Sequence, residues 1–414
     1  MNKGRCFLSE NGFLATSRNT AFKQKHSIFY KKGPSISGRK IPPLRNILLS
    51  FTIQTRKKAM ARNWLIKLLV LPLALLYGLG VGINNLLHRF KLLKSITFSL
   101  PVISIGNLTV GGSGKSPHAE YLIKLLKPHI RVGVISRGYG RKSKGFQWVN
   151  VRNKVSHTGD EPLQIKRKNP DIPVAVSESR SFGIPKMVGQ FPQLQTIIMD
   201  DGFQHREVNP TLNLLLTEYS SPYFKDFLLP VGRLREWPTG SRRADAIIVS
   251  KCPTDLTSEQ AAHFQEKLKP LPQQKVFFSY LTYGQAYYLF NPKQKLVEKP
   301  GGEAILLTGI ANPDPLIDHM AERVDRLHSL AFPDHHNFST YDLAQLKKTF
   351  DQLEMKIRFV VTTEKDAVRL EPHVKFLADN KIHVFIQPVE VAFHRFSEFS
   401  FDDYVKNKLL EFKS

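Results

Sequence analysis

Short, nearly continuous apolar runs recur through the middle of the chain: Pro101–Ile105, Arg131–Ser136, Gln195–Asp200, Leu212–Leu216 and Ala246–Ser250. Runs of this length without polar alternation predict strands covered on both faces, as in a parallel sheet. His118–Leu126, between the first two, has helical spacing, and Val174–Val176 adds a short strand. A helical run through Leu163 and Ile165 follows Asp160 and Glu161, which fall just before or in its first turn. This alternation predicts an α/β domain. The character shifts near residue 273. Lys275–Leu281 and His383–Gln387 read as strands bracketing a second α/β block. That block holds Ala304–Gly309, the loop Phe332–Phe338, a helix through Leu343 and Leu346, and Arg358–Asp366. The two bracketing strands are expected to pair as a hinge between the lobes.

The most hydrophobic segment is Trp64–Ile83, whose uncharged part, Leu68 to Ile83, has sixteen residues. A clean membrane span needs about twenty. Arg62, Lys67, Arg89, Lys91 and Lys94 flank it. The segment reads as a helix lying in or dipping into a membrane face, with cations at the headgroups. Residues 1–59 carry thirteen Lys/Arg against one acidic residue, Glu10, and show no sustained periodicity. A disordered tail, a transit peptide and translation starting at Met60 are the three readings, and the last is favoured because the organised chain begins there. The expected division is 1–59 extension, 60–90 membrane helix, 91–272 nucleotide domain, 273–392 second domain and 393–414 C-terminal segment.

Composition narrows the partners. The net charge of +25 suits nucleic acid, anionic lipid or a phosphorylated substrate. No arginine-rich helix or stacking motif singles out nucleic acid, which is not expected as a partner, and no obligate protein partner is evident. Two distant cysteines, Cys6 and Cys252, give no disulfide framework or metal cluster.

The candidate chemistry starts at Gly106-Asn-Leu-Thr-Val-Gly-Gly-Ser-Gly-Lys-Ser116, between a predicted strand and helix. Strand, glycine-rich loop and helix in that order make a phosphate cradle, with backbone N–H groups and the helix N-terminus facing the oxygens. Thr109, Gly111, Gly112, Ser113, Gly114, Lys115 and Ser116 are the candidate nucleotide-binding residues. Lys115 can reach the outer phosphates and the Ser116 hydroxyl can hold Mg²⁺. A strict Walker A has glycine where this chain has Thr109. The second signal is an apolar strand ending in Asp200-Asp201-Gly-Phe-Gln-His205, which reads as a Walker B site for Mg²⁺. ATP and Mg²⁺ are the expected cofactors. Arg137, Tyr139, Gln204, His205, Arg235 and Glu236 complete the crevice as candidate substrate-binding residues.

Taken together, the motifs resemble the tetraacyldisaccharide 4′-kinase family. They are Gly106–Thr109 with Gly111–Pro117, Ser136-Arg-Gly-Tyr-Gly-Arg141, Gly159-Asp-Glu-Pro162, Asp200–His205, Leu234-Arg-Glu236, Phe332-Pro-Asp-His335 and Thr363-Glu-Lys-Asp-Ala367. They run in the family's order over roughly residues 60–395. Trp237 departs from the pattern, lying between Arg235-Glu236 and Pro238 where the family often has Arg-Glu-Pro.

The resemblance implies a P-loop NTPase domain joined by a two-stranded linker to a smaller α/β C-terminal domain. It implies transfer of the γ-phosphate of ATP to the 4′-hydroxyl of a tetraacylated disaccharide 1-phosphate, giving lipid IVA, at the cytoplasmic face of the bacterial inner membrane. It also places an Asp–His dyad on Asp160 and His335, with Asp334 and His336 as lesser candidates. The rival reading is a membrane-bound P-loop switch ATPase that recruits a protein. A switch uses water as nucleophile and needs no second carboxylate–imidazole site.

Overall fold

The computed structural model describes residues 69–88, 90, 92–396 and 399–412. The basic extension 1–59 lies outside the described residues. A twenty-residue helix, α1 (Leu69–His88), opens the described chain and is long and apolar enough to cross a membrane. Most of its leucines are exposed, but Ala74 is buried against the body of the protein.

The large sheet forms from β1 (Val102–Asn107), β2 (Val132–Ser136), β3 (Gln147–Trp148), β4 (Val174–Val176), β5 (Thr196–Asp200), β6 (Leu212–Glu218), β7 (Ala246–Ser250), β8 (Lys275–Tyr283) and β15 (Val389–Phe393). Their spatial order is β15-β8-β7-β6-β1-β5-β2-β4-β3. All neighbours pair in parallel except the two edges, where β15 runs against β8 and β3 against β4. Every residue of β1, β2, β4, β5 and β7 is buried. This is why these strands read as unbroken apolar runs: helices cover both faces. On one face lie α2 (Lys115–Leu126), α3 (Val155–Thr158) and α4 (Asp160–Lys168). Leu122, Ile123, Leu163 and Ile165 are fully buried there, each side chain contributing about 1.5–3 kcal/mol. On the other face, α5 (Arg180–Gln190) buries Ile184 and Met187, and α6 (Ser258–Leu268) buries Ala261 and Phe264 beside Ala74.

A second sheet has the order β10-β9-β14-β13-β11-β12. It comprises β9 (Tyr287–Tyr288), β10 (Asn291–Lys295), β11 (Glu303–Thr308), β12 (Arg326–Ala331), β13 (Arg358–Thr363) and β14 (Val384–Gln387). Its helices are α7 (Asp314–Ala321), α8 (Thr340–Asp351), α9 (Glu364–Leu370) and α10 (Val374–Asp379). Leu343 and Leu346 of α8 enter its core, as their spacing predicts. The final helix, α11 (Phe401–Leu410), returns to the first lobe, where Phe401, Tyr404 and Val405 join the core of the large sheet.

The hinge is two-stranded, but one expected strand is different. His383–Gln387 supplies β14, which pairs with β13 and β9 inside the second sheet. The partner of β8 is β15, just past Pro388, with Val389 opposite Tyr283 and Phe393 opposite Ser279. Apolar patterning identifies a strand but not its neighbour, and both runs are apolar.

Candidate active site

Parallel strands gather their C-terminal ends along one edge, and ligands of open α/β sheets bind there. β1 runs into the glycine-rich loop and β5 into Asp200-Asp201. The two are hydrogen-bonded neighbours, with Ile105 opposite Asp200. A close backbone approach locks the loops together. A Cβ on Gly106 would meet Phe203 Cβ at 2.7 Å and its backbone nitrogen at 2.8 Å, so glycine is required there. Gly114, at φ 86°, turns the chain into α2, whose first turn has no side-chain cap. Uncapped helix N-terminal amides suit an anion.

Lys115 Nζ lies 3.3 Å from Asn107 Oδ1 and 3.7 Å from Asp201 Oδ1. Asp201 has φ 49°, a left-handed conformation that Asp tolerates better than most residues. Its carboxylate accepts two 3.1 Å contacts from Arg235. Burial works against its ionisation, yet Lys115 and Arg235 hold its carboxyl below the usual range. Arg235 also reaches Gln204 Oε1 at 3.2 Å, and Gln204 donates to Asn107 O at 2.8 Å and to Glu236 at 3.1 Å. Glu236 is buried and paired with Arg243 at 2.8 and 2.9 Å. His205 instead turns to Glu207, 3.2 Å away.

Asp200 is the exception. It is 1% exposed, and neither carboxylate oxygen has a partner. Burial, then the Glu161 and Asp201 carboxylates, push its carboxyl up to about 7. The Ser113 hydroxyl of the glycine-rich loop is likewise buried without a partner. An acceptor-only group left unpaired in the interior fits a cation. Among the described residues no group of three or more His, Cys, Asp or Glu forms a metal cluster.

A second constellation forms where the lobes meet. Asp160 opens α4 and is buried. The preceding Gly159, at φ 88°, packs on Gly138 of the Arg-Gly-Tyr loop; a Cβ on Gly159 would lie 3.0 Å from Tyr139 O. This brings Tyr139 beside the site, its exposed ring 5.3 Å from that of His335. Arg137, on the same loop, is exposed.

From the other lobe, His335 Nδ1 lies 3.0 Å from Asp160 Oδ2, and the Arg369 guanidinium converges on the same oxygen. Lys365 Nζ is 3.1 Å from His335 Nε2. A lysine ammonium only donates and a carboxylate only accepts. The Asp160 carboxylate at Nδ1 and the Lys365 ammonium at Nε2 favour the tautomer with Nδ1–H donated to Asp160 and the lone pair on Nε2, while the Arg369 guanidinium, also 3.2 Å from Nδ1, opposes it. Burial opposes ionisation of Asp160, but the His335 hydrogen bond and the Lys365 and Arg369 charges hold its carboxyl well below the usual range. His335 itself sits at φ 60°, with its N–H on Gly309 O at 3.1 Å. A non-glycine residue in this conformation costs about 1–2 kcal/mol, so the surrounding loop enforces it. His336 is elsewhere, 2.9 Å from Asp342 at the start of α8, and Asp334 Oδ2 is 3.8 Å from His335 Nε2.

Sequence reasoning missed Arg369, Lys365 and Asp366. Asp366 receives Arg369 at 3.0 Å, Thr363 Oγ1 at 2.7 Å and the Gly309 N–H at 3.0 Å. Two of the three lie in Thr363–Ala367, which marked the resemblance without an assigned role; no spacing cue flags Arg369.

A glycine-rich phosphate cradle on a parallel sheet, facing strand-end carboxylates, defines a P-loop nucleotide-binding protein with a second lobe closing on its site. The family described as LpxK, tetraacyldisaccharide-1-P 4′-kinase, matches residues 66–409. The chain belongs to that family. It is 42% identical to the tetraacyldisaccharide 4′-kinase of Phocaeicola vulgatus over 328 residues, covering 78% of this chain and 89% of that one. The Flavobacterium johnsoniae tetraacyldisaccharide 4′-kinase is 42% identical over 307 residues, 74% of this chain and 88% of its own. Among solved structures, LpxK from Aquifex aeolicus in complex with ATP is similar with a TM-score of 0.63. It is 28% identical, over 83% of this chain and 98% of that one.

Proposed function

We propose that this chain transfers the γ-phosphate of ATP to the 4′-hydroxyl of a tetraacylated disaccharide 1-phosphate, forming lipid IVA. Family membership supports the reaction. The observation that carries the division of labour is the 3.0 Å contact between Asp160 of one lobe and His335 of the other, set beside a phosphate cradle. Thr109, Gly111, Gly112, Ser113, Gly114, Lys115 and Ser116 take the phosphates. Lys115 and Arg235 offset the charge that spreads over the transferring group, an effect larger in the transition state than in the ground state. Ser116, Asp200 and Asp201 would hold Mg²⁺, which when bound supplies charge neutralisation between the phosphates.

A sugar hydroxyl is a poor nucleophile at neutral pH, and a positioned base helps by about 10²–10⁴-fold. His335 Nε2 takes that proton. Asp160 holds the ring in the required tautomer and faces the positive charge that forms, and Lys365 gives way to the acceptor hydroxyl. Arg137, Tyr139, Gln204, His205, Arg235 and Glu236 are assigned to the crevice around the acceptor. Residues 91–272 act as the kinase domain and 273–392 as the closing domain. α1 keeps the enzyme at an anionic membrane surface, on the cytoplasmic face of the inner membrane, where ATP and an acylated acceptor meet.

The test is a phosphorylation assay with the purified full chain, ATP, Mg²⁺ and detergent-dispersed tetraacyldisaccharide 1-phosphate. Acceptor-dependent ATP consumption with phosphate at the 4′ position is expected. ATP hydrolysis indifferent to the acceptor would overturn the reading in favour of a switch ATPase.

A further inference from the structure

α1 exposes most of its apolar surface, yet one stripe of it is held. Ala74 belongs to the buried apolar cluster that also holds Leu108, Phe203, Leu228 and Leu234. The Tyr77 hydroxyl donates to Arg235 O at 2.7 Å. Trp237 Nε1–H donates to Gly78 O at 2.9 Å. One end of the stripe is gripped by Arg206, which donates to Asn85 Oδ1 at 2.7 Å and to its carbonyl at 3.2 Å. Positions 74, 77, 78 and 85 lie on one helical face. The fit leaves no slack, since a Cβ on Gly78 would meet Leu228 Cδ1 at 2.5 Å and Trp237 Cζ2 at 2.7 Å.

The attachment points are the two loops that hold the phosphate cluster. Arg206 ends the loop that starts at Asp200-Asp201. Tyr77 holds the backbone carbonyl just before Glu236, and Trp237, just after it, reaches back to the helix carbonyl Gly78 O. Between the loops run the Arg235–Asp201, Arg235–Gln204 and Gln204–Glu236 contacts. Arg235 therefore has its carbonyl fixed by the membrane helix and its guanidinium on Asp201. A helix needed only as an anchor requires an apolar surface; it does not require two directional hydrogen bonds to a charged loop. Trp237, the residue that departs from the family pattern, supplies one of them.

We propose that α1 is a splint for the active site as well as an anchor. The Tyr77–Arg235 and Trp237–Gly78 hydrogen bonds position Arg235 on Asp201, so the seating of the helix sets the geometry of the phosphate cluster. Tyr77 and Trp237 are positioning residues acting through Arg235. The proposal rests on the kinase reading above, and the test keeps the two separable.

Tyr77→Phe and Trp237→Phe each remove one donor and keep a ring. The doubly substituted full chain is compared with its parent, in the native and in an Arg235→Gln background. The readouts are sedimentation with phosphatidylglycerol vesicles, kcat and KM for the acceptor in mixed micelles, and affinity for Mg²⁺-ATP. Vesicle binding and acceptor KM are expected to stay within about twofold while kcat falls about tenfold, the signature of an interaction that matters in the transition state. In the Arg235→Gln background the same two substitutions are expected to change kcat by less than about twofold, because residues acting through one group are not additive. An unchanged kcat in the native background would overturn the proposal. So would an equal loss in both backgrounds, which is what general loosening produces, or a loss matched by loss of vesicle binding. Should the parent bind ATP and leave the acceptor untouched, the kinase reading fails. The splint is then decided by the same four-protein cycle read as Mg²⁺-ATP affinity, non-additive if it holds and additive if it does not.

Discussion

The phosphate cluster and the lobe junction both centre on a buried aspartate, and the two aspartates are in opposite states. Asp200, at the end of β5, has both oxygens unpaired and its carboxyl pushed up to about 7. Asp160, at the start of α4, is met by Arg369 and His335, and its carboxyl is held below the usual range. The first has no protein partner for either oxygen, the arrangement that the proposed cation role of Asp200 rests on. The second is already satisfied by protein, which suits the orienting role proposed for it. Burial alone does not distinguish them; the accounting of partners does.

Removing charge from the first region has the largest expected effect. Lys115→Ala is expected to lower kcat by about 10³-fold, comparable with deleting a preorganised electrostatic group, while acceptor KM changes little. Near-normal turnover would mean that the loop is structural and the contrast between the regions is lost.

The same substitution at the two aspartates sharpens the contrast, since the sign differs. Asp160→Asn takes from Arg369 one of its two buried carboxylate partners, Asp366 remaining, and is expected to destabilise the fold by about 1.5–3 kcal/mol. Asp200→Asn removes an unpaired buried carboxylate and is expected to stabilise the metal-free protein by about 1–2 kcal/mol, even as the requirement for Mg²⁺ in catalysis rises. Denaturant melts in chelator check both, and equal signs would refute the distinction.

A smaller effect joins the phosphate loop to the hinge. His118 is fully buried, with Nδ1 2.7 Å from Gly114 O and Nε2 2.8 Å from Ser279 Oγ on β8. Burial pushes its imidazole down to about 4 from 6.5. An unfolded chain takes up that proton near pH 6.5 and the folded one does not until about 4. Stability from this group is therefore complete above pH 6.5 and is lost as pH falls through the window, by up to about 3 kcal/mol. Tm against pH for His118→Asn should be flatter than the parent between those limits. Parallel curves would show that His118 does not report on this joint.

The two regions also differ in how far the sequence discloses them. Glycine spacing, Lys115, Ser116 and the strand-end Asp200-Asp201 are local, so apolar periodicity and loop chemistry suffice to place them at one sheet edge. The junction is not local. His335 and Asp160 are 175 positions apart, and Arg369 is 209 from Asp160. No spacing rule joins them, and only the family resemblance named the pair. The long apolar helix is legible from composition, whereas its latch is not: Trp237 registers in the sequence as a departure in a loop, and its partner is a backbone carbonyl 159 positions away. The hinge failed for a similar reason, since the apolar run before Pro388 and the one after it look alike, and only pairing separates β14 from β15.

The most direct test of the junction's role is a kcat measurement, with saturating ATP and acceptor, for the parent, Asp160→Asn, His335→Ala and the double variant, each first shown to be folded and to bind ATP. If carboxylate and imidazole form one unit across the lobes, each single change lowers kcat by about 10²-fold or more, and the double variant falls little further than the worse single one. Fully multiplicative losses, or an unimpaired His335→Ala, would contradict it.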